Sequence, residues 1–343
     1  MKMPKQTNEL MMYGAKNAIE DCLKVKEGED LVIIADKETL GIGDALRDAA
    51  EKITRTVGYY VLEDFVKNTK DATKCPEAIL DAVKKADVSI YCASMKWYKW
   101  NSSSIVNDIL RAIPDKKGVR HARMPGITKE IMETGMCADY SEVRRLSKKL
   151  YSLVKNATEI ITTTEKGTYL TAKFDLKPNW HFSDSSFRNK VENLPTGDMS
   201  APVKHIKGKL VIDGYIGAHL NNKYGEIERT PIEIEIKGNK VVENSIKCDN
   251  KSLRKEFHDY IFRPDKNSSR IGAFMIGTNM GLEKVVGNLL QDEKLPGAHV
   301  LFGSPSYFPL NKWSSKVICD CWIKNTTLLI DGKKVMAKGV FLI

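Results

Sequence analysis

Two different periods run along the chain. Up to about residue 160, short continuous apolar runs alternate with stretches whose apolar positions recur every three or four residues. Leu31-Val32-Ile33-Ile34-Ala35 is such a run, the pattern of a strand buried on both faces. Gly41-Ile42-Gly43-Asp44 follows and reads as a tight turn feeding a helix over 45–53. Residues 59–62 and 88–92 predict the next two strands, 76–85 the helix between them, and 127–134 and 140–156 two more helices, the second amphipathic. Strands alternating with helices predict an open, mostly parallel sheet flanked by helices over residues 1–160.

Past that point the period shortens to two. Residues 159–174 read as a hairpin around Glu165-Lys166-Gly167, 209–217 as a strand, and 232–242 as a hairpin turning at Gly238-Asn239. Residues 328–330 and 335–337 flank Asp331-Gly332, a two-residue hairpin turn. The expected architecture is therefore α/β plus a second domain over 161–343, antiparallel and β-rich with short helices.

Composition narrows the class. A chain of 343 residues has room for two domains, and 42% hydrophobic with 29% charged residues is a folded profile that excludes disorder. No apolar run reaches 18 residues, and the N-terminal MKMPKQTNEL lacks an apolar core, so neither a membrane span nor a secretory signal is expected. Seven cysteines without a CxxC pair read as reduced thiols in a cytoplasmic protein, without a structural zinc module. The charge of +10 is spread along the chain. Its densest cluster, Arg144 to Lys149, has helical spacing and reads as a solvated face; the stretch Lys96-Trp97-Tyr98-Lys99-Trp100 is short, so no nucleic-acid partner is expected. The pair Gly41 and Gly43 lacks the third glycine of a dinucleotide fingerprint, and no P-loop, GxSxG or HExxH occurs. No two of the six histidines are spaced i, i+3 or i+4, so a metal site would have to be assembled from distant strands and loops.

Six blocks carry more information. They are the strand ending in Asp36; Arg123-Met124-Pro125-Gly126 with Asp139-Tyr140; the hairpin Thr164 to Thr171; Asn193-Leu194-Pro195-Thr196-Gly197-Asp198 running to Ala201-Pro202; Asp292-Glu293-Lys294 with Gly297, His299 and Gly303; and Ile318-Cys319-Asp320 running to Asp331-Gly332. In this order they resemble the thermophilic metalloprotease-like family of the aminopeptidase T type, over nearly the whole chain. That resemblance implies two divalent metals held by carboxylates, histidines and a tyrosine in a cleft between domains, where they deprotonate a water and polarise the scissile carbonyl. It also implies a homodimer.

Carried over residue by residue, the resemblance assigns metal ligation to Asp198 (a glutamate in the family), His299 and Asp320, and a catalytic tyrosine to Tyr307. Two positions depart from the pattern. Ala273 stands for a glutamate, and Ile318 for a histidine that would share a strand face with Asp320. A reduced, mononuclear site of one imidazole and two carboxylates follows as the expectation. His219 is a possible relocated ligand, and Cys319 and Cys321 should point away from Asp320. Trp180, Tyr215, Tyr307 and Trp313 are candidates for a pocket lining or for the core. The implied activity is a metal-dependent hydrolase acting on peptides or small amines with Zn, Co or Mn. The alternatives are a non-catalytic relative that binds a peptide or small molecule in a biosynthetic pathway, and an iron dioxygenase opening a dihydroxypyridine ring with two histidines and a carboxylate.

Overall fold

The computed structural model describes residues 4–66, 74–97, 104–175, 180–188, 190–304 and 313–343. Two compact units emerge: residues 1–141 with 183–196, and residues 142–182 with 197–343.

The first unit is built on α1 (Pro4–Lys16), β1 (Leu31–Ala35), α2 (Leu40–Ala50), β2 (Val57–Val61), α3 (Glu77–Lys85), β3 (Val88–Tyr91), α4 (Ile105–Ala112), β4 (Arg120–Arg123) and α5 (Lys129–Glu133). Then come α6 (Tyr140–Val154), β5 (Glu159–Thr163), β6 (Tyr169–Lys173), β7 (His181–Ser183) and β8 (Val191–Asn193), the last of which returns to the first unit. Its sheet runs β2-β1-β3-β4-β8 with every pairing parallel. All five residues of β1 are buried, as a strand with covered faces requires. Val32, Ile34 and Tyr91 pack against Ile79 and Val83 of α3 and Ile105 and Ile109 of α4. Gly41 and Gly43 lie inside α2 rather than in a turn before it. The glycine at 43 is required by packing: a Cβ there would sit 2.4 Å from the Tyr59 hydroxyl.

The second unit continues with β9 (Asp198–Ala201), β10 (His205–Ile212), α7 (Ala218–Tyr224), β11 (Ile232–Lys237), β12 (Lys240–Val241), α8 (Lys251–Phe262), β13 (Ile271–Gly277), α9 (Leu289–Asp292), β14 (Gly297–Gly303), β15 (Ile318–Ile323), β16 (Thr327–Ile330), β17 (Lys333–Ala337) and β18 (Val340–Phe341). One sheet runs β12-β11-β10-β6-β5-β16-β17-β18 and the other β15-β14-β13-β9-β7. The hairpins at 159–174, 232–242 and 328–337 form as their turn residues dictate, while the strand expected at 209–217 is β10, ending at Ile212. Asp331 and Gly332 both take positive φ, the conformation that a twisted two-residue hairpin needs. Leu170, Ile206 and Ile234 from the eight-stranded sheet meet Phe274, Val300 and Phe302 from the five-stranded one in a single core, with Leu150 of α6 and Phe257 of α8. The fold is α/β followed by an antiparallel β-rich unit. Among the described residues, no helix is long and apolar enough to cross a membrane.

Candidate functional site

Strand alternation sorts the five-stranded sheet into two faces. Met199, Phe274, Val300, Cys319 and Cys321 turn into the core. Asp198 and Ser200 of β9, Ala273 and Met275 of β13, His299 and Leu301 of β14, and Ile318, Asp320 and Trp322 of β15 take the other face. All of these except the half-buried Ile318 are buried. The two cysteines thus point away from Asp320, as the pattern predicts.

The segment between β13 and β14 covers this face. It lies so close that a Cβ at Gly277 would fall 1.8 Å from the Leu295 carbonyl oxygen. The Asn279 amide donates to the Lys294 carbonyl at 3.1 Å. Asn288 caps α9 by accepting from the Leu290 amide at 3.0 Å, and this helix delivers Asp292, Glu293 and Lys294 to the face.

Two ionic groups result. Strand pairing sets Leu301 opposite Asp320 and His299 opposite Trp322, so the imidazole and the carboxylate are diagonal neighbours. His299 Nδ1 lies 3.1 Å from Asp320 Oδ2, and Nε2 lies 3.1 Å from the Leu295 carbonyl oxygen. Both neighbours are acceptors, so a ring that donates to both is protonated. Burial pulls its pKa down, but the Asp320 charge and hydrogen bond, the Leu295 carbonyl and the Glu293 charge outweigh that, and the net shift is upward. The second group centres on the fully buried Lys294, whose ammonium pairs with Glu293 and stands 3.9 Å from Asp198 Oδ1. Burial raises the Glu293 carboxyl, with the Lys294 charge opposing. Burying these ions costs several kcal/mol each before their mutual attraction is counted, an expense that a purely structural core avoids.

Three oxygens beside these groups are buried without a hydrogen-bond partner among the described residues: Asp320 Oδ1, Asp292 Oδ2 and the Tyr215 hydroxyl. Burial pushes Asp292 up to about 7, against three backbone amides that hold it down and with Asp320 adding to the rise. Tyr215 is raised by burial and then by Asp320.

The residues expected from the sequence are therefore divided. His299 and Asp320 meet; Asp198 faces Lys294; Tyr307 lies outside the described residues. His219 is exposed, its ring 5.9 Å from that of Tyr260, away from the role of a relocated ligand. Trp180 packs on Phe174 in the core, Trp313 lies under Arg270, and Tyr215 packs with Leu295 and Trp322. Sequence reasoning missed Lys294 and Asp292, although the Asp-Glu-Lys block had flagged the segment.

The donor set does not fit a two-metal centre. Ala273, Met275 and Leu301 form an apolar cluster with Ile318, so the two positions that depart from the expected pattern sit together as hydrocarbon on this face. Among the described residues, no three His, Cys, Asp or Glu groups are placed to hold a metal ion.

No family model and no curated protein matches the sequence. Solved structures do match. The 2,5-dihydroxypyridine dioxygenase of Pseudomonas putida KT2440 aligns with a TM-score of 0.70 at 15% identity, covering 96% of each chain. Wild-type AmpT from Thermus thermophilus aligns with a TM-score of 0.61 at 13% identity, covering 98% of this chain and 99% of its own. At such identities the likeness defines a shared fold across the whole chain, one that these two enzymes also use.

Proposed function

We propose that this chain is a ligand-binding protein on the aminopeptidase T type fold, taking a peptide or small amine without metal-dependent hydrolysis. The observation that carries this reading is the apolar cluster of Ala273, Met275, Leu301 and Ile318 on the face where the fold's hydrolytic ligands are expected. The charges beside it support an amine as the bound group. Asp198, Asp292, Glu293 and Asp320 face two cations, Lys294 and His299, and a pKa of about 7 leaves Asp292 partly ionised at neutral pH. Four carboxyl groups stand near two cations, and burial raises two of them, Asp292 and Glu293; an added ammonium would favour their ionised forms.

Calorimetry on metal-free protein tests the proposal. Peptides with a free amino terminus should bind, N-acetylated copies should not, and EDTA should leave the heats unchanged. Stoichiometric metal in the purified protein, chelator-sensitive binding, or hydrolysis of aminoacyl substrates with Zn, Co or Mn would overturn it.

One observation favours the hydrolytic reading instead. Asp320 Oδ1 is a buried carboxylate oxygen without a partner among the described residues, the kind of acceptor a cation takes. In that reading Asp198, His299 and Asp320 hold one metal, and the same metal analysis decides between the two.

A further inference from the structure

Lys294 enters the reading above only as one charge among several, yet it is a lysine buried completely against the five-stranded sheet. Its side chain is fully buried, and its ammonium reaches both Glu293 and Asp198. The lysine comes with the Asp-Glu-Lys block; what differs here is its company. With alanine at 273 and isoleucine at 318, no further carboxylate or imidazole stands at those two places to share a metal with Asp198. The lysine is left as the positive charge that Asp198 and Glu293 face.

We propose that Lys294 is the built-in cation of this site, occupying with its ammonium the position from which Asp198 and Glu293 would otherwise hold a divalent ion. The inference rests on the metal-independent reading above and names the residue that makes it so. The Asp198 charge acts on Glu293, and both carboxylates attract any cation that can reach them. A tethered ammonium satisfies that demand at an effective concentration that a free ion cannot match. Once the ammonium is removed, the same oxygens become a site for a hard cation that completes its coordination with water, as Mg²⁺ and Mn²⁺ do.

The test is Lys294→Met, which keeps the length and packing of the chain, compared with Lys294→Arg, which keeps the charge. Each full-length variant is melted and titrated with MnCl₂ after EDTA treatment. Wild type and Lys294→Arg should melt at the same temperature with and without Mn²⁺. Lys294→Met should melt several degrees lower in EDTA and recover with Mn²⁺, binding the ion at least tenfold more tightly than wild type. Adding Asp198→Asn to Lys294→Met should restore most of the melting temperature in EDTA and abolish the response to Mn²⁺. A folded Lys294→Met indifferent to Mn²⁺, or one that folds neither with nor without the ion, overturns the proposal while leaving metal-independent binding intact. Wild type that itself binds Mn²⁺ through Asp198 overturns both.

Discussion

Replacing Asp320 with asparagine isolates the charge of the His299–Asp320 pair, because the side chain keeps its shape. In the wild type the imidazolium donates from Nδ1 to Asp320 and from Nε2 toward Leu295. In Asp320→Asn a protonated ring would donate to the amide oxygen with no counter-charge in a buried place, so the neutral ring, accepting at Nδ1 from the new amide N–H, is favoured. Above the folded-state pKa, both proteins hold a neutral ring. The gap there should be about 1 kcal/mol, the difference between a charge-assisted and a neutral hydrogen bond. The wild-type imidazole has a raised folded-state pKa. Its contribution is fully present below the unfolded value of about 6.5 and is lost as pH rises through the folded value. The variant ring is buried neutral, so its contribution runs the opposite way and falls as pH drops below about 6.5. Each unit below that point adds up to about 1.4 kcal/mol. The gap should therefore reach at least roughly 3 kcal/mol at pH 5, to which the wild-type gain from its raised pKa adds, within the range that breaking a buried ion pair costs. For a unit of this size that is about 6–12 °C in melting temperature. Urea and thermal melts of both proteins from pH 5 to 9 provide the assay. A gap that stays constant over this range, or that widens toward alkaline pH, would refute the assignment of a buried imidazolium.

Three further outcomes follow from the same physics. His121 is fully buried, with Nδ1 at 2.8 Å from Ser89 Oγ and Nε2 without a partner among the described residues, and burial followed by the Arg123 charge lowers its pKa to about 3. Stability should fall below pH 6.5 by up to about 1.4 kcal/mol per unit from this group, and His121→Gln should flatten that slope in urea melts at pH 4 to 7; parallel slopes would count against it. Ile318→His restores an imidazole two residues from Asp320 on the same strand face, and calorimetry should show Zn²⁺ binding at least tenfold tighter than in wild type. Asp331 holds φ at +44 and accepts from the Thr158 and Glu159 amides at 3.1 and 2.9 Å, so Asp331→Ala should cost about 1–3 kcal/mol and Asp331→Asn clearly less, read from denaturant midpoints.

How far the fold can be read locally depends on whether burial coincides with apolar side chains. It does in β1 and β3, and in the hairpins, whose turns need the particular residues present at Gly238-Asn239 and Asp331-Gly332. It fails at β4, a strand of Arg120, His121, Ala122 and Arg123, where no apolar run exists. There the polar side chains find partners from afar: His121 Nδ1 meets Ser89, Arg120 meets Glu29 at 2.5 Å, and Arg123 meets Asn193 at 3.0 Å, seventy residues later. Only the folded sheet supplies those partners. Gly41 and Gly43 mislead for the same reason, since the demand for a missing side chain comes from Tyr59 and not from a local turn.

The site divides along a similar line. Which residues share its face follows from alternation alone, and the sequence Cys319-Asp320-Cys321 shows that directly. Whether a carboxylate on that face serves a metal or a protein cation does not, because charge balance is settled among residues that meet only in three dimensions. Asp198 and Asp320 are separated by more than a hundred residues, and each is met by a cation of the chain itself, Lys294 at 3.9 Å and His299 at 3.1 Å. On the proposed reading, glutamate at 273 and histidine at 318 would add ligands on this face, and the buried lysine would then compete with ions rather than stand in for one. On that reading two side-chain identities decide which charge this face holds, and the backbone that carries it is left unchanged.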